Sequence, residues 1–224
     1  MSTLSEALIA ITTQPPQGRE GDRDALARMI ALLLEEAGVA DVAGTLEAMH
    51  DAGLADAQAI AGATTIDLWN TLRSGAPKIP SRVAATIKHL GEWLVEFEDG
   101  QAERLDEPTR STQSLRDGLA SIKGVGRRAA DALVLHALAR PAFPLDRGTY
   151  RILVRHGWLD VTADYDEAHD LVVHAAGGSP DALAAAEQTF TAVARRHCRV
   201  QAPRCAGCPL EPFLPEGGAL EIDG

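Results

Sequence analysis

The feature that most constrains the fold is a pair of glycines set between two helical segments. In residues 122–135, IKGVGRRAADALVL, Gly124 and Gly126 stand one residue apart, just before an apolar stretch. Glycine allows a sharp turn and a close approach of the backbone to another molecule, because it has no Cβ. The apolar positions that follow have helical spacing: Ala129, Ala130, Leu133, Val134, Ala137 and Leu138. A tight turn between two helices is therefore predicted.

The rest of the chain also favours helices. Apolar residues recur at helical spacing in residues 26–34 and 82–97, and no segment shows sustained two-residue alternation. Aromatic residues make up only 4% of the chain, and alanine and leucine dominate. An all-α fold is predicted.

The N-terminal residues and the hydropathy pattern bear on localisation. Residues 1–22 are rich in Pro, Gly, Gln and Thr, which predicts a flexible N-terminal arm without a signal peptide. No apolar run approaches the roughly 18 residues that a membrane span requires. We expect a cytoplasmic protein that does not bind membranes.

The net charge of the chain argues against nucleic-acid binding, but the charges are unevenly distributed along the sequence. The net charge of the 224 residues is −11, but residues 120–204 carry 11 basic against 9 acidic residues. An acidic chain with one basic face could bind a phosphate backbone, weakly and with strong salt dependence.

The two-glycine turn is suited to contacting phosphates. The backbone N–H groups of such a turn favour an anion. An ordinary turn is the alternative interpretation. Six residues are candidate DNA contacts that would carry no sequence preference: Lys123, Gly124, Val125, Gly126, Arg127 and Arg128.

Two segments resemble one protein family. Residues 119–157, LASIKGVGRRAADALVLHALARPAFPLDRGTYRILVRHG, and residues 203–210, PRCAGCPL, resemble the endonuclease III-like DNA glycosylases of the helix–hairpin–helix superfamily. The likeness covers about 115–210 and is looser over 24–100. It implies a two-lobed helical glycosylase fold with an iron–sulfur cluster loop, in a nucleoid-associated monomer. One lobe, residues 115–180, would hold the hairpin, and the other would combine residues 23–114 with 181–224.

The resemblance also implies a catalytic residue and an activity. Asp146 stands about twenty residues after the hairpin, where the family has a catalytic aspartate. The family removes damaged bases from nucleotides swung out of double-stranded DNA. Its carboxylate stabilises the positive charge that develops on the sugar. Taken alone, Asp146 is the N-cap of a predicted helix that runs through Val154.

One position departs from the family pattern. Members that also cut the strand use a lysine where this chain has Arg128, and a guanidinium stays protonated and cannot attack the sugar. A monofunctional glycosylase, a hydrolase of base-excision repair, is therefore predicted. Two alternatives remain open: a lyase that uses Lys123, and a DNA-binding or damage-sensing relative with little or no turnover. Glu36 is a second departure, since the family carries a pocket glutamine near the corresponding helix end.

The three cysteines of the chain lie close together. Cys198, Cys205 and Cys208 have the family's cluster spacing, but the fourth cysteine position is Leu214. The resemblance implies a structural [4Fe–4S] cluster with three thiolate ligands. A lost site and a zinc site that uses His197 are the alternatives.

The fourth ligand of such a cluster is left open by the sequence. The candidates are His197, Glu211, Glu216 and a small molecule. Arg199 and Arg204, between the first two cysteines, are candidate phosphate contacts or solvated surface charges.

Overall fold

The computed structural model describes residues 3–12 and 24–221, and in these ranges it contains helices and turns but no strand. The helices are α1 (Leu4–Ile11), α2 (Ala25–Glu36), α3 (Val42–Asp51), α4 (Ala57–Gly62), α5 (Thr65–Gly75), α6 (Ser81–Glu98), α7 (Thr112–Ala120), α8 (Arg127–Ala132), α9 (Arg147–Arg155), α10 (Tyr165–Ala175) and α11 (Pro180–Arg196). A π-helical turn, Leu133–Ala137, continues α8, and 3-10 turns cover Ala102–Asp106 and Glu211–Phe213. The predicted all-α fold is confirmed.

The chain forms two compact units, which differ from the two predicted lobes. One unit contains α2 to the π-helical turn, and the other contains α1 with everything from Arg140 onwards. The hairpin therefore belongs with the N-terminal helices, because Arg28 of α2 donates a 2.8 Å hydrogen bond from Nε to the carbonyl of Ala137. The cysteine loop belongs with α9, which it contacts directly.

The predicted flexible arm is wrong for its first part. Thr3 and Glu6 form a capping box that begins α1, and this helix buries Leu4, Ala7 and Leu8. The helix packs against α10 and α11. Its short apolar pattern is hidden by the Pro- and Gly-rich residues that follow, and residues 1, 2 and 13–22 of the predicted arm lie outside the described ranges.

Close helix packing organises the unit that contains the hairpin. Gly91 of α6 allows α6 to approach α4, since a Cβ there would lie 2.7 Å from the Ile60 side chain. Arg116 of α7 and Asp131 of α8 form a buried ion pair, with Arg116 Nε 2.5 Å from the carboxylate. This pair fixes the two helices that flank the hairpin.

The second unit is built around α9 and α11. Gly148 of α9 faces α11, where a Cβ would lie 2.7 Å from the Cβ of Ala194. Phe143, just before α9, packs edge-to-face on Phe190 of α11, with ring centroids 6.2 Å apart. These contacts hold the start of α9, where Asp146 lies.

The length and apolar character of the helices bear on whether they could cross a membrane. Within residues 3–12 and 24–221, none of the helices combines the length and the apolar character that crossing a membrane requires.

Replacing Gly91 with alanine is expected to lower the free energy of unfolding by about 1–3 kcal/mol, because the added methyl group overpacks the contact with α4. Gly62→Ala is the matched control, since a Cβ on this α4 residue meets nothing within 4 Å. Urea unfolding followed by circular dichroism measures both variants. Equal losses of stability in the two variants would contradict the packing argument.

Candidate functional site

The predicted hairpin is present, and its first glycine is required by both conformation and space. Val125 N donates to the carbonyl of Ile122 at 2.9 Å, which closes the turn. Gly124 has φ +97°, and a Cβ there would lie 2.3 Å from Thr86 Oγ1. A side chain at this position would therefore be strained and would collide with α6.

The outer side of the hairpin presents hydrogen-bond donors. Lys123, Arg127 and Arg128 are exposed, and the N–H groups of Gly124 and Gly126 have no acceptor within the part of the chain that the structure describes. Val125 is different, because its side chain is buried and its N–H closes the turn. Val125 therefore serves the turn itself, whereas the other five predicted contact residues lie on its exposed side.

The two residues that depart from the family pattern meet each other. Arg128 Nη1 lies 2.5 Å from Glu36 Oε1, which joins the end of α2 to the first turn of α8. Both side chains are partly exposed, at 46% and 32%. Because Glu36 is paired, its negative charge is offset beside the hairpin, and the other N–H donors of Arg128 can still bind a ligand.

Asp146 caps α9 with only one of its carboxylate oxygens. Oδ1 accepts a 2.6 Å hydrogen bond from Thr149 N, so the predicted N-cap is confirmed. Oδ2 has no hydrogen-bond partner among the described residues, and the side chain is half-buried. The capping bond fixes the carboxylate while leaving one oxygen for a second role.

The same helix holds the cysteine loop. Arg151 Nε donates to the carbonyl of Cys198 at 2.8 Å. Buried Arg155, one turn later, donates to the carbonyls of Arg199 and Val200 at 2.5 and 2.7 Å, and its Nη1 lies 3.5 Å from Cys198 Sγ. The start of α9 therefore carries Asp146, and its second half binds the backbone of the segment that follows α11.

The three cysteines are free thiols that line one cavity. Leu214, at the position of the missing fourth cysteine, lines the cavity as well. Burial raises the pKa of the Cys208 thiol, and Cys205, Cys198 and Glu211 raise it further. Three thiolates gathered here would repel one another unless a bound cation compensated their charge.

The donor chemistry of this cavity fits a thiolate-bound metal centre. Sulfur ligands select iron–sulfur clusters or zinc. Within the described residues, no three His, Cys, Asp or Glu side chains are already gathered at metal-binding distances. Binding would therefore require the thiols to converge.

The candidate fourth ligands are not equally placed. His197 and Glu211 line the cavity, whereas Glu216 is exposed and is not part of its wall. One oxygen of Glu211 already accepts from Gly207 N at 2.7 Å. His197 Nδ1 lies 3.3 Å from the carbonyl of Arg204.

His156 is a lining residue that the sequence interpretation missed. Burial lowers the pKa of its imidazole, an effect that the hydrogen bond to the Phe213 carbonyl opposes. It lies more than forty residues before the cysteines in the chain, so the cysteine spacing could not point to it.

Arg199 and Arg204, the predicted phosphate contacts of the loop, are exposed. Their backbone atoms are used internally: Arg199 O accepts from Arg155, and Arg204 N donates to the carbonyl of His197 at 2.8 Å. Their side chains are therefore carried on an anchored backbone.

Comparison with known proteins supports the resemblance. No protein-family model matches the chain. A protein of Methanocaldococcus jannaschii named "Putative DNA repair glycosylase" is 29% identical over 130 residues, which is 58% of each chain. Endonuclease III of Bacillus subtilis is 28% identical over 144 residues, 63% of this chain and 59% of that protein. The chain thus matches less than two thirds of the length of these relatives.

Solved structures match over more of the chain. A trapped covalent intermediate of endonuclease III with DNA has a TM-score of 0.63, at 21% identity over 95% of this chain and 93% of that one. A thermostable thymine-DNA glycosylase has a TM-score of 0.61, at 14% identity over 93% and 92%. A 3-methyladenine DNA glycosylase from H. pylori has a TM-score of 0.59, at 16% identity over 86% and 94%.

These matches show the fold, which is the all-helical fold shared by the endonuclease III and DNA glycosylase structures. In sequence, the chain is similar to one protein named as a DNA repair glycosylase and to one named endonuclease III. The resemblance predicted from residues 119–157 and 203–210 is confirmed.

Replacing Arg155 with lysine is expected to speed alkylation of Cys198 in the metal-free protein by tenfold or more. Lysine keeps the positive charge but lacks the planar guanidinium group that donates to two carbonyls at once. Each hydrogen bond lost from a charged group costs about 1.5–3 kcal/mol. Iodoacetamide labelling followed by mass spectrometry of the Cys198 peptide gives the rate.

The matched control for this prediction is Arg196→Lys, which changes an exposed arginine at the end of α11. Equal labelling rates in the two variants would mean that Arg155 does not hold the loop.

Proposed function

We propose that the protein is a DNA glycosylase of base-excision repair that removes a damaged base by hydrolysis and leaves the strand uncut. The observation that carries this proposal is the geometry of Asp146. One carboxylate oxygen is fixed by the cap of α9 and the other has no partner among the described residues. Its position in the sequence matches the catalytic aspartate of the family that the chain resembles.

Asp146 would act on the sugar of a nucleotide swung out of the duplex. As the bond between C1′ and the base breaks, the base leaves with the bonding electrons and takes up a proton. Positive charge then builds on the sugar, and the Asp146 carboxylate stabilises it. Water adds its oxygen to C1′ and releases a proton, which leaves an abasic site.

The hairpin would bind the phosphate backbone of the DNA. The exposed N–H groups of Gly124 and Gly126, together with Lys123, Arg127 and Arg128, suit contacts to phosphates rather than to bases. Arg199 and Arg204 offer a second set of charges on the cysteine loop. Because the whole chain is acidic, binding should depend on these residues and weaken strongly with salt.

Arg128 supports the monofunctional reaction. A strand-cutting glycosylase needs an amine that attacks the sugar, and a guanidinium has no free lone pair. Arg128 is also engaged by Glu36 at 2.5 Å. In this proposal the pair lets the hairpin keep a cation for phosphate contact without presenting a nucleophile, and Glu36 does not enter the duplex as a free charge.

The cysteine cavity would hold a [4Fe–4S] cluster through Cys198, Cys205 and Cys208. When bound, such a cluster cross-links the loop and takes no part in the bond-breaking step. The bonds from Arg151 and Arg155 to residues 198–200 would then tie the loop to the helix that Asp146 begins.

The Asp146→Asn variant is expected to lose base release by about 10²–10⁴-fold while keeping its affinity for DNA. Asparagine is as good an N-cap as aspartate, so α9 should remain intact while the negative charge disappears. The assay uses end-labelled duplexes that each carry one lesion. Half of each reaction is quenched at neutral pH, and half is heated in alkali to break the strand at abasic sites.

The matched control is Asp160→Asn, which changes an exposed aspartate in the same unit. Breaks only after alkali, lost in Asp146→Asn and kept in Asp160→Asn, would support the proposal. DNA binding without breaks in either half would favour the alternative of a damage-sensing protein without turnover.

The Lys123→Ala variant is expected to weaken DNA binding and to reduce the slope of log K against log salt by about 1, because one phosphate contact is lost. Base release at saturating protein should stay near the wild-type rate. Fluorescence anisotropy at several salt concentrations measures the slope, and Lys88→Ala is the control, since its Nζ already binds the carbonyls of Ala61 and Ala63.

The same variant tests the lyase alternative. If borohydride trapped a covalent complex with abasic DNA in the wild type but not in Lys123→Ala, Lys123 would be the amine nucleophile and the monofunctional proposal would be wrong.

A further inference from the structure

We propose that His156 supplies the fourth protein ligand, through Nε2, to the metal centre held by Cys198, Cys205 and Cys208. The inference rests on the proposed cofactor and adds a ligand that the cysteine spacing does not contain. His156 lines the same cavity as the three thiols, although it comes from the end of α9 rather than from the cysteine loop.

The position of the ring is set by the segment that carries the missing cysteine. His156 Nδ1 lies 3.2 Å from the carbonyl oxygen of Phe213. The next residue is Leu214, which occupies the fourth cysteine position and also lines the cavity. The imidazole is therefore tied to the backbone of the residue that immediately precedes the fourth cysteine position.

The hydrogen bond also decides which ring nitrogen could bind a metal. A carbonyl oxygen only accepts, so Nδ1 carries the proton and Nε2 keeps its lone pair. Histidine ligands in proteins are usually oriented by a bond of this kind from the other ring nitrogen. The ring is further fixed by stacking on Trp158, with centroids 4.5 Å apart and planes at 19°.

The other candidate side chains are less well placed to bind a metal. Glu211 is exposed and has one oxygen bound by Gly207 N. His197 is more exposed than His156, which is 9% exposed, and its contact with the Arg204 carbonyl is longer, at 3.3 Å. His197 is thus the main rival and the natural control.

Three thiolates and one imidazole form a chemically sensible set. Both iron–sulfur centres and zinc accept this combination of sulfur and nitrogen ligands. Arg155, whose Nη1 lies 3.5 Å from Cys198 Sγ, adds a positive charge beside the thiolates. No change of oxidation state is needed for the centre to hold the loop.

The test uses the full chain, produced without oxygen and labelled with ¹⁵N-histidine. Iron and zinc contents are measured first. If iron is present, pulsed EPR of the dithionite-reduced protein is expected to show hyperfine coupling to one coordinated ¹⁵N. If zinc is present, X-ray absorption is expected to show three sulfurs at about 2.3 Å and one nitrogen at about 2.0–2.1 Å.

Three variants separate the possible ligands. His156→Ala is expected to lose the nitrogen signal, and His197→Gln is expected to keep it. His156→Cys guards against a folding defect, since it should keep the metal through a fourth thiolate while losing the nitrogen signal. Circular dichroism checks that each variant is folded.

The outcomes distinguish this inference from the proposed cofactor. A metal-loaded wild type without nitrogen coupling, or a signal lost in His197→Gln but kept in His156→Ala, would overturn the role of His156 alone. A wild type that binds neither iron nor zinc would overturn the proposed metal centre and this inference with it.

Discussion

The hydrogen bonds that Arg151 and Arg155 donate to the backbone of residues 198–200 are the interaction on which the second unit depends. The loop after α11 has little regular structure to satisfy its own carbonyl groups, and the two guanidinium groups satisfy three of them in succession. Because Asp146 caps the same helix, the orientation of α9 sets both the carboxylate and the loop. The loop is therefore anchored by a helix rather than by its own sequence.

Acidic and basic side chains also offset one another near the hairpin. The chain carries a large excess of acid, yet its hairpin presents exposed cations. The pairing of Arg128 with Glu36 shows how one acid near the hairpin is offset within the same unit. Such a partly exposed pair adds little to stability. Its effect is on the local charge, because the Glu36 carboxylate is paired and residue 128 is an arginine that offers no amine.

Much of the fold could be predicted from the sequence, and the failures have identifiable causes. The helix predicted over residues 82–97 and the helix predicted to follow the Asp146 cap agree with α6 and α9 within a residue or two, because apolar spacing and caps are local signals. α1 was missed because its eight residues were averaged with the Pro- and Gly-rich stretch after them. α4, six residues long, gives too short a pattern to detect.

The candidate site likewise combines features that the sequence predicts with contacts that it does not predict. The turn at Gly124, the cap at Asp146 and the clustering of the cysteines could be read from the sequence, since each depends on neighbours within a few residues. The place of Glu36 was predicted only as a departure from a family pattern. Its partner, Arg128, is 92 residues away, and no local signal joins them.

The sequence by itself determined that the chain is helical, where its sharp turn lies and which residue begins α9. These properties follow from backbone conformation and short-range hydrogen bonding. The tertiary structure decided which side chains meet: Arg128 with Glu36, Arg155 with the cysteine loop, and His156 with the cavity lined by the three thiols. Such meetings depend on how helices pack, because packing brings distant residues together at distances that only the folded chain defines.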